Sequence, residues 1–248
     1  MKLHKFKNIF KMKKIKITIA VLLINISIQA QDINTFFSKA DAFFKVYVSN
    51  GKVAYDKIVS NPETINEVLK LAESIVIEKN DKKNYQAFWI NAYNLSVIKG
   101  LVNSYPIKSP LDKVGFFDKT TYVLGGKTVT LNDIEHKLLR AQFNDARFHF
   151  VLVCGAVGCP PLINSAYMPN ILDSQLEAQT IKAINGNFIR VNDKKKRIEV
   201  SQIMEWYKSD FTSNGLSEID FINKYRKEKL DDEYKLSYFP YDWNINKQ

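Results

Sequence analysis

The spacing of apolar residues changes character at Pro106, and that change decides the fold class. Before it, Ile33, Phe36, Phe37, Ala40, Phe43, Phe44 and Tyr47 recur at helical spacing with Lys39, Asp41 and Lys45 off the stripe. Asn50-Gly51 stops that helix. A second helical stretch, Ile65, Val68, Leu69, Ala72, Ile75 and Val76, begins after Pro62. A third, from about Asn84 to Ser104, carries Phe88, Trp89, Ala92, Leu95, Leu101 and Val102 and is ended by Pro106 and Pro110. Beyond Pro106 the apolar residues come in short runs. Tyr122-Val123-Leu124 and Thr128-Val129 flank Gly125-Gly126, a pair suited to the positive φ of a two-residue hairpin turn. Phe188 to Asn192 and Arg197 to Val200 form a second hairpin across a lysine-rich turn.

Between these hairpins, Phe148 to Val153 is nearly all apolar and rich in aromatic and β-branched residues, which predicts a strand covered on both faces. Thr130 with Asp133 and Ser217 with Asp220 stand in the relation of capping boxes, so helices are predicted to start there. Further helices are predicted from about Asn170 to Ile184 and from Ser201. The aromatic stretch Tyr238 to Trp243 is expected to pack on the rest. The fold class is therefore α+β: a small, mostly antiparallel sheet with a buried central strand, packed by several helices.

The first 30 residues have a different composition. They hold seven lysines and no acid, followed by an apolar run from Ile17 to Ile28 and a small residue, Ala30, before Gln31 and Asp32. This is the pattern of a secretory signal peptide over 1–30, with residues 31–248 as one globular domain, exported to the periplasm or secreted. Met12 with Lys13-Lys14 would open a complete signal by itself. At about a dozen residues the apolar run falls short of the roughly 20 that span a bilayer, so the chain is not expected to be an integral membrane protein after signal removal. The formal charge of +10 becomes 10 − 7 = +3 without the leader. That removes the case for nucleic acid, which needs a clustered basic face. The one later cluster, Lys194 to Arg197, reads as a solvated turn.

Chemistry-bearing residues gather around the only two cysteines, Cys154 and Cys159, five apart across Gly155 and Gly158. Three arrangements are open. The first is a local disulfide, which in an exported chain would close a short loop and stabilise it by about 2 kcal/mol. The second makes Cys154 a nucleophile at the start of a glycine-containing turn whose N–H groups would bind an oxyanion, with His136 as base and Glu135 beside it. Asn91 and Asn94, one turn apart on a helix, are candidates to orient the base. On an extended strand, at about 3.3 Å per residue, His149 would point away from Cys154; it reads otherwise as a buried structural histidine. The third sets Cys154, Cys159, His136 and His149 around zinc. The count is right but the spacing matches no recognised site, so no metal or cofactor is expected. Trp89, Tyr93, Trp206, Tyr207, Tyr241 and Trp243 are candidates to line a sugar- or peptide-binding groove.

Six stretches in order carry a family resemblance: Phe88 to Asn94; Asp133-Ile134-Glu135-His136 with Leu139-Arg140; Arg147 to Phe150 through Cys154; Cys159-Pro160-Pro161-Leu162; Trp206 to Phe211; and Tyr241 to Asn244. Together they resemble domain-of-unknown-function family 547 over roughly Lys83 to Asn246. The resemblance implies no settled activity. The functional expectation is a Cys/His-dependent hydrolase or acyl-transferase acting on an envelope or extracellular peptide-like substrate. The alternative is a non-enzymatic binding domain with a structural Cys154–Cys159 disulfide and a small-molecule or peptide-like ligand.

Overall fold

A computed structural model describes residues 32–231 and 233–248. The leader expected at 1–30 lies outside the described residues. The chain begins with helix α1 (residues 32–47), then a short ladder, β1 (Val48–Ser49) with β2 (Lys52–Val53). Helices α2 (Tyr55–Ser60), α3 (Glu63–Ser74) and α4 (Lys82–Val102) follow. From Tyr85 to Val102 almost every residue of α4 is buried, as in a helix that runs through a core rather than along a surface. It packs against α2, α3 and a later helix at residues 131–143, and the stripe of α1 adds Phe36, Phe37, Phe43 and Phe44 to the same core.

The predicted hairpin is present as β3 (Thr121–Leu124) and β4 (Lys127–Thr130), turned by Gly125 and Gly126 at φ of 61° and 68°. Both central residues of a primed turn need positive φ, which glycine adopts without steric cost. The capping box at Thr130 and Asp133 also forms. The Thr130 hydroxyl accepts from the Asp133 N–H, and the Asp133 carboxylate accepts from the Thr130 N–H. It starts α5 (residues 131–143), whose Asp133–Arg140 stretch is wound as a π-helix, an uncommon geometry that often accompanies functional sites.

The second half builds its own apolar cluster. Helix α6 (Leu172–Ile184) precedes β5 (Ile189–Asn192) and β6 (Arg197–Ser201); α7 (Gln202–Trp206), α8 (Lys208–Phe211), α9 (Glu218–Tyr225) and β7 (Lys235–Phe239) complete it. The sheet order is β5-β6-β7, with β5 antiparallel and β7 parallel to the central β6. Ile198, Val200, Ile203, Met204, Phe211 and Ile222 meet Phe150 in this second core. The architecture is α+β with small, mainly antiparallel sheets and many helices. No helix among the described residues is long and apolar enough to cross a membrane.

The central strand is not where the sequence placed it. Ala146–Phe150 is a 3-10 turn, capped by the Asp145 carboxylate accepting the Arg147 N–H, and residues 152–154 leave it as irregular chain. An all-apolar run is covered on every side in either geometry, so its pattern does not separate a strand from a buried turn. What permits the irregular form is Asn94 on α4. Its Nδ2 donates to the Val151 carbonyl at 2.9 Å, and its Oδ1 accepts the Val153 N–H at 2.9 Å, replacing ladder partners inside the core. Asn91, one turn earlier, does the same for Tyr167, donating to its carbonyl and accepting its N–H.

Asn94→Ala leaves one buried carbonyl and one buried N–H without partners. We expect a loss of roughly 2–4 kcal/mol in stability. It should be read as a lower urea midpoint at unchanged slope, with Asn91→Ala behaving alike.

Candidate functional site

The segment after Cys154 is stitched to the C-terminus. Asn246 donates its N–H to Gly155 O at 2.9 Å, while Val157 and Gly158 donate theirs to Asn244 O and Asp242 O, each at 2.8 Å. Gly155 sits at φ of +85° with Val97 and Leu101 of α4 against its Cα, a place no other residue fills without strain. This stitching sets Tyr241 and Trp243 beside the cysteines. The Cα atoms of Cys154 and Cys159 are 6.5 Å apart and their sulfurs are within disulfide distance. The Tyr241 hydroxyl lies 2.8 Å from both sulfurs, and the Cys154 N–H donates to Cys159 Sγ at 3.0 Å.

Both sulfurs face a cleft of about 310 Å³ where the two apolar cores meet. Tyr93 and Leu152 come from the first core, Ile203 and Tyr241 from the second, and Cys159 packs against both. Trp206, Tyr207, Tyr241 and Trp243 form an aromatic wall. Trp206 stacks on Trp243 at 5.9 Å, and Tyr241 lies 4.7 Å from Trp243. Trp206 remains 46 % exposed, which puts it at the mouth.

The polar end of the cleft is built by α5. Glu135, buried at 9 % exposure, is the one carboxylate among the lining residues, and no lysine or arginine lines the cleft. Tyr93 donates to its Oε2 at 3.5 Å, and Tyr207 hydrogen-bonds it as well. Burial, and next the negative charge of Glu135, hold the Tyr93 and Tyr207 hydroxyls well above the ordinary tyrosine range, so both stay protonated donors. Tyr241 is raised by burial and then by Tyr207 and Glu135.

Behind Tyr207 stands a charge network. Arg140 grips Asp210 with two bonds, Nε to Oδ2 at 2.7 Å and a terminal nitrogen to Oδ1 at 3.0 Å. His149 Nε2 meets the same Oδ2 at 2.8 Å, and its ring stacks on Tyr207 at 4.1 Å. Burial opposes ionisation of Asp210, but the bonds from His149 and Arg140 outweigh it and hold the carboxyl below the usual carboxylate range. Arg140 also donates to His136 Nδ1 at 2.7 Å. Since a guanidinium only donates, that nitrogen must accept, and the remaining proton of a neutral His136 sits on Nε2.

The structure therefore brings Glu135, His149, Cys154 and Cys159 to one cleft and leaves His136, whose side chain is 40 % exposed, outside its lining. Asn91 and Asn94 are spent on backbone fastening. The 3-10 turn corrects the expected geometry of His149, which shares the cleft with Cys154 instead of facing away. Of the N–H groups expected to form an oxyanion site, those of Val157, Gly158 and Cys159 are already bonded within the protein. Tyr93, Trp206, Tyr207, Tyr241 and Trp243 converge as a groove-lining set, whereas Trp89 is core. Arg140 and Asp210 were not singled out as functional, because a lone acid 70 residues from its partner leaves no periodic trace. Among the described residues, no group of three or more His, Cys, Asp or Glu is arranged to hold a metal ion.

A depressed folded pKa stabilises the native state above the unfolded carboxylate value of about 3.9 and loses that contribution as pH falls toward the folded value. Asp210→Asn should therefore lower stability at pH 7 by roughly 2–4 kcal/mol, since Arg140 is left without its counter-charge. Its stability should also fall less steeply than that of the parent protein below pH 4, as followed by urea unfolding across pH 2–7.

No curated protein and no solved structure matches the chain. The match to a known family covers residues 77–183, ending before the Trp206 to Phe211 and Tyr241 to Asn244 stretches that carried part of the resemblance. Over those residues the chain is similar to the family described as "Protein of unknown function, DUF547".

Proposed function

We propose that this chain is an exported ligand-binding protein, and that the cleft takes a small-molecule or peptide-like ligand presenting an amine. The observation that carries this reading is the pairing of an aromatic wall with a single buried carboxylate. Aromatic faces attract cations through their quadrupole, and more strongly where water is excluded. Glu135 is the one carboxylate among the lining residues and no lysine or arginine lines the cleft, so a cationic ligand group would find a counter-charge there. The volume suits a ligand the size of an amino acid derivative or a short peptide end.

A second reading is supported by the shared position of Cys154 and His149. With the sulfurs reduced, Cys154 would serve as nucleophile, and His149, oriented through Nε2 by Asp210, as its base in hydrolysis or acyl transfer. His136 with Glu135 remains the other proposed base pair. The commitment of the Val157, Gly158 and Cys159 N–H groups within the protein weighs against this reading, because a tetrahedral oxyanion needs free donors.

Trp206 and Trp243 make binding measurable by intrinsic fluorescence. Titration with tetramethylammonium and with a lysine dipeptide should quench or shift emission. The isosteric neutral dipeptide should bind at least about tenfold more weakly, a difference of about 1.4 kcal/mol. Glu135→Gln should remove that preference. Equal affinity for charged and neutral probes would refute the amine assignment. Loss of probe turnover, but not of probe binding, in Cys154→Ser would favour the nucleophile.

A further inference from the structure

We propose that Cys154 and Cys159 are an exchange-active pair: the cleft performs thiol–disulfide exchange with a thiol-bearing small molecule or peptide. The proposal uses the cleft described above but not Glu135, and it stands whether or not the ligand carries an amine.

Three features separate this pair from a cross-link that only staples a loop. Both sulfurs line a cavity that a ligand can enter, and both residues are partly exposed. The two cysteines are only five apart in sequence, so tying them restricts the unfolded chain little. Third, the donors around the sulfurs are unequal. Cys159 Sγ accepts the Cys154 N–H and lies within reach of the Tyr241 hydroxyl, whereas Cys154 Sγ has the Tyr241 hydroxyl alone. Hydrogen bonds to the charged form favour it, so Cys159 is the better thiolate and the better leaving group.

The chemistry follows from that asymmetry. A substrate thiolate attacks Cys154 Sγ, forming a substrate–Cys154 disulfide and breaking the Cys154–Cys159 bond. The electron pair leaves with Cys159 Sγ, held by the Cys154 N–H and the Tyr241 hydroxyl. A second substrate thiolate then attacks the substrate sulfur of that mixed disulfide and expels Cys154. Two thiols become one disulfide and the protein gains two electrons and two protons as a dithiol. The same steps run in reverse with a substrate disulfide, which restores the pair. The aromatic wall of Trp206 and Trp243 borders the sulfurs and suits the flank of a peptide-like substrate.

The test treats the full chain, purified without reductant, with reduced glutathione under native conditions and counts thiols by maleimide mass addition over time. We expect both cysteines to become labelled without denaturant, and Tyr241→Phe to slow the reaction at least about fivefold. After rapid alkylation, peptide mapping should find the transient glutathione adduct on Cys154. Resistance of the native disulfide until denaturant is added, an unchanged rate in a folded Tyr241→Phe, or an adduct on Cys159 would each overturn the proposal. If Tyr241→Phe does not fold, the native reduction and the adduct position decide alone. The amine-probe titration on the oxidised protein reads the binding proposal separately, so either can fail without the other.

Discussion

Asp210 accepts hydrogen bonds from Arg140 and His149 at once, and the cleft depends on that convergence. Arg140 belongs to α5, whose apolar residues pack in the first core. His149 belongs to the 3-10 turn that follows it, and Asp210 sits on α8 among the aromatic residues of the second. Each partner is mostly removed from water, so none tolerates loss of the others: a carboxylate so placed without its guanidinium is a buried charge without compensation. By holding α5, the turn and α8 together, the network fixes Tyr207, which His149 stacks against and Arg140 caps at 4.5 Å. Tyr207 in turn touches Glu135. The polar floor of the cleft is thus positioned from behind by Arg140 and Asp210, which do not line it, acting in part through His149, which does.

A cavity between two apolar cores would ordinarily collapse, because close packing gains dispersion energy that a void forfeits. Here the lining resists collapse for two reasons. Rigid rings support one another in tilted and stacked pairs, so filling the space would require breaking contacts among Trp206, Tyr241 and Trp243. Glu135 resists it as well, since further burial would raise the cost of its charge beyond what two tyrosine hydroxyls offset.

The helices, both hairpins, the capping boxes and the docking of the C-terminal aromatics were legible in the sequence because each rests on local chemistry: period, glycine pairs, a Ser or Thr three residues before an acid. The Phe148 to Val153 run was not, because its conformation is decided by Asn94, more than 50 residues away in sequence. That one displacement carried a second with it. Once the run winds as a turn, His149 no longer alternates away from Cys154, and the histidine that reaches the cleft is not the one its sequence neighbours favoured. His136 beside Glu135 looked like a base with its acid; the π-helical winding instead aims Glu135 into the cleft and His136 toward Arg140. The aromatic set was largely legible as residue types, and its convergence required the stitching of 155–158 to 242–246, a backbone pairing that no side-chain pattern announces.

The electrostatics of the cleft bear on what its sulfurs can do. Activated cysteines elsewhere gain their thiolate from a nearby cation, and this lining holds no lysine or arginine; Glu135 makes a second negative charge more costly still. Stabilisation of a thiolate must then come from uncharged donors, and the two that converge on Cys159 are the backbone N–H of Cys154 and the Tyr241 hydroxyl. Burial keeps that hydroxyl protonated, with Tyr207 and Glu135 adding to the effect, so the carboxylate that disfavours a thiolate also preserves one of its donors. As an acyl-transfer nucleophile Cys154 would have the Tyr241 hydroxyl alone, without the backbone N–H that Cys159 receives. A leaving thiolate forms only as the disulfide bond breaks, at the sulfur that already accepts the Cys154 N–H and has the Tyr241 hydroxyl within reach.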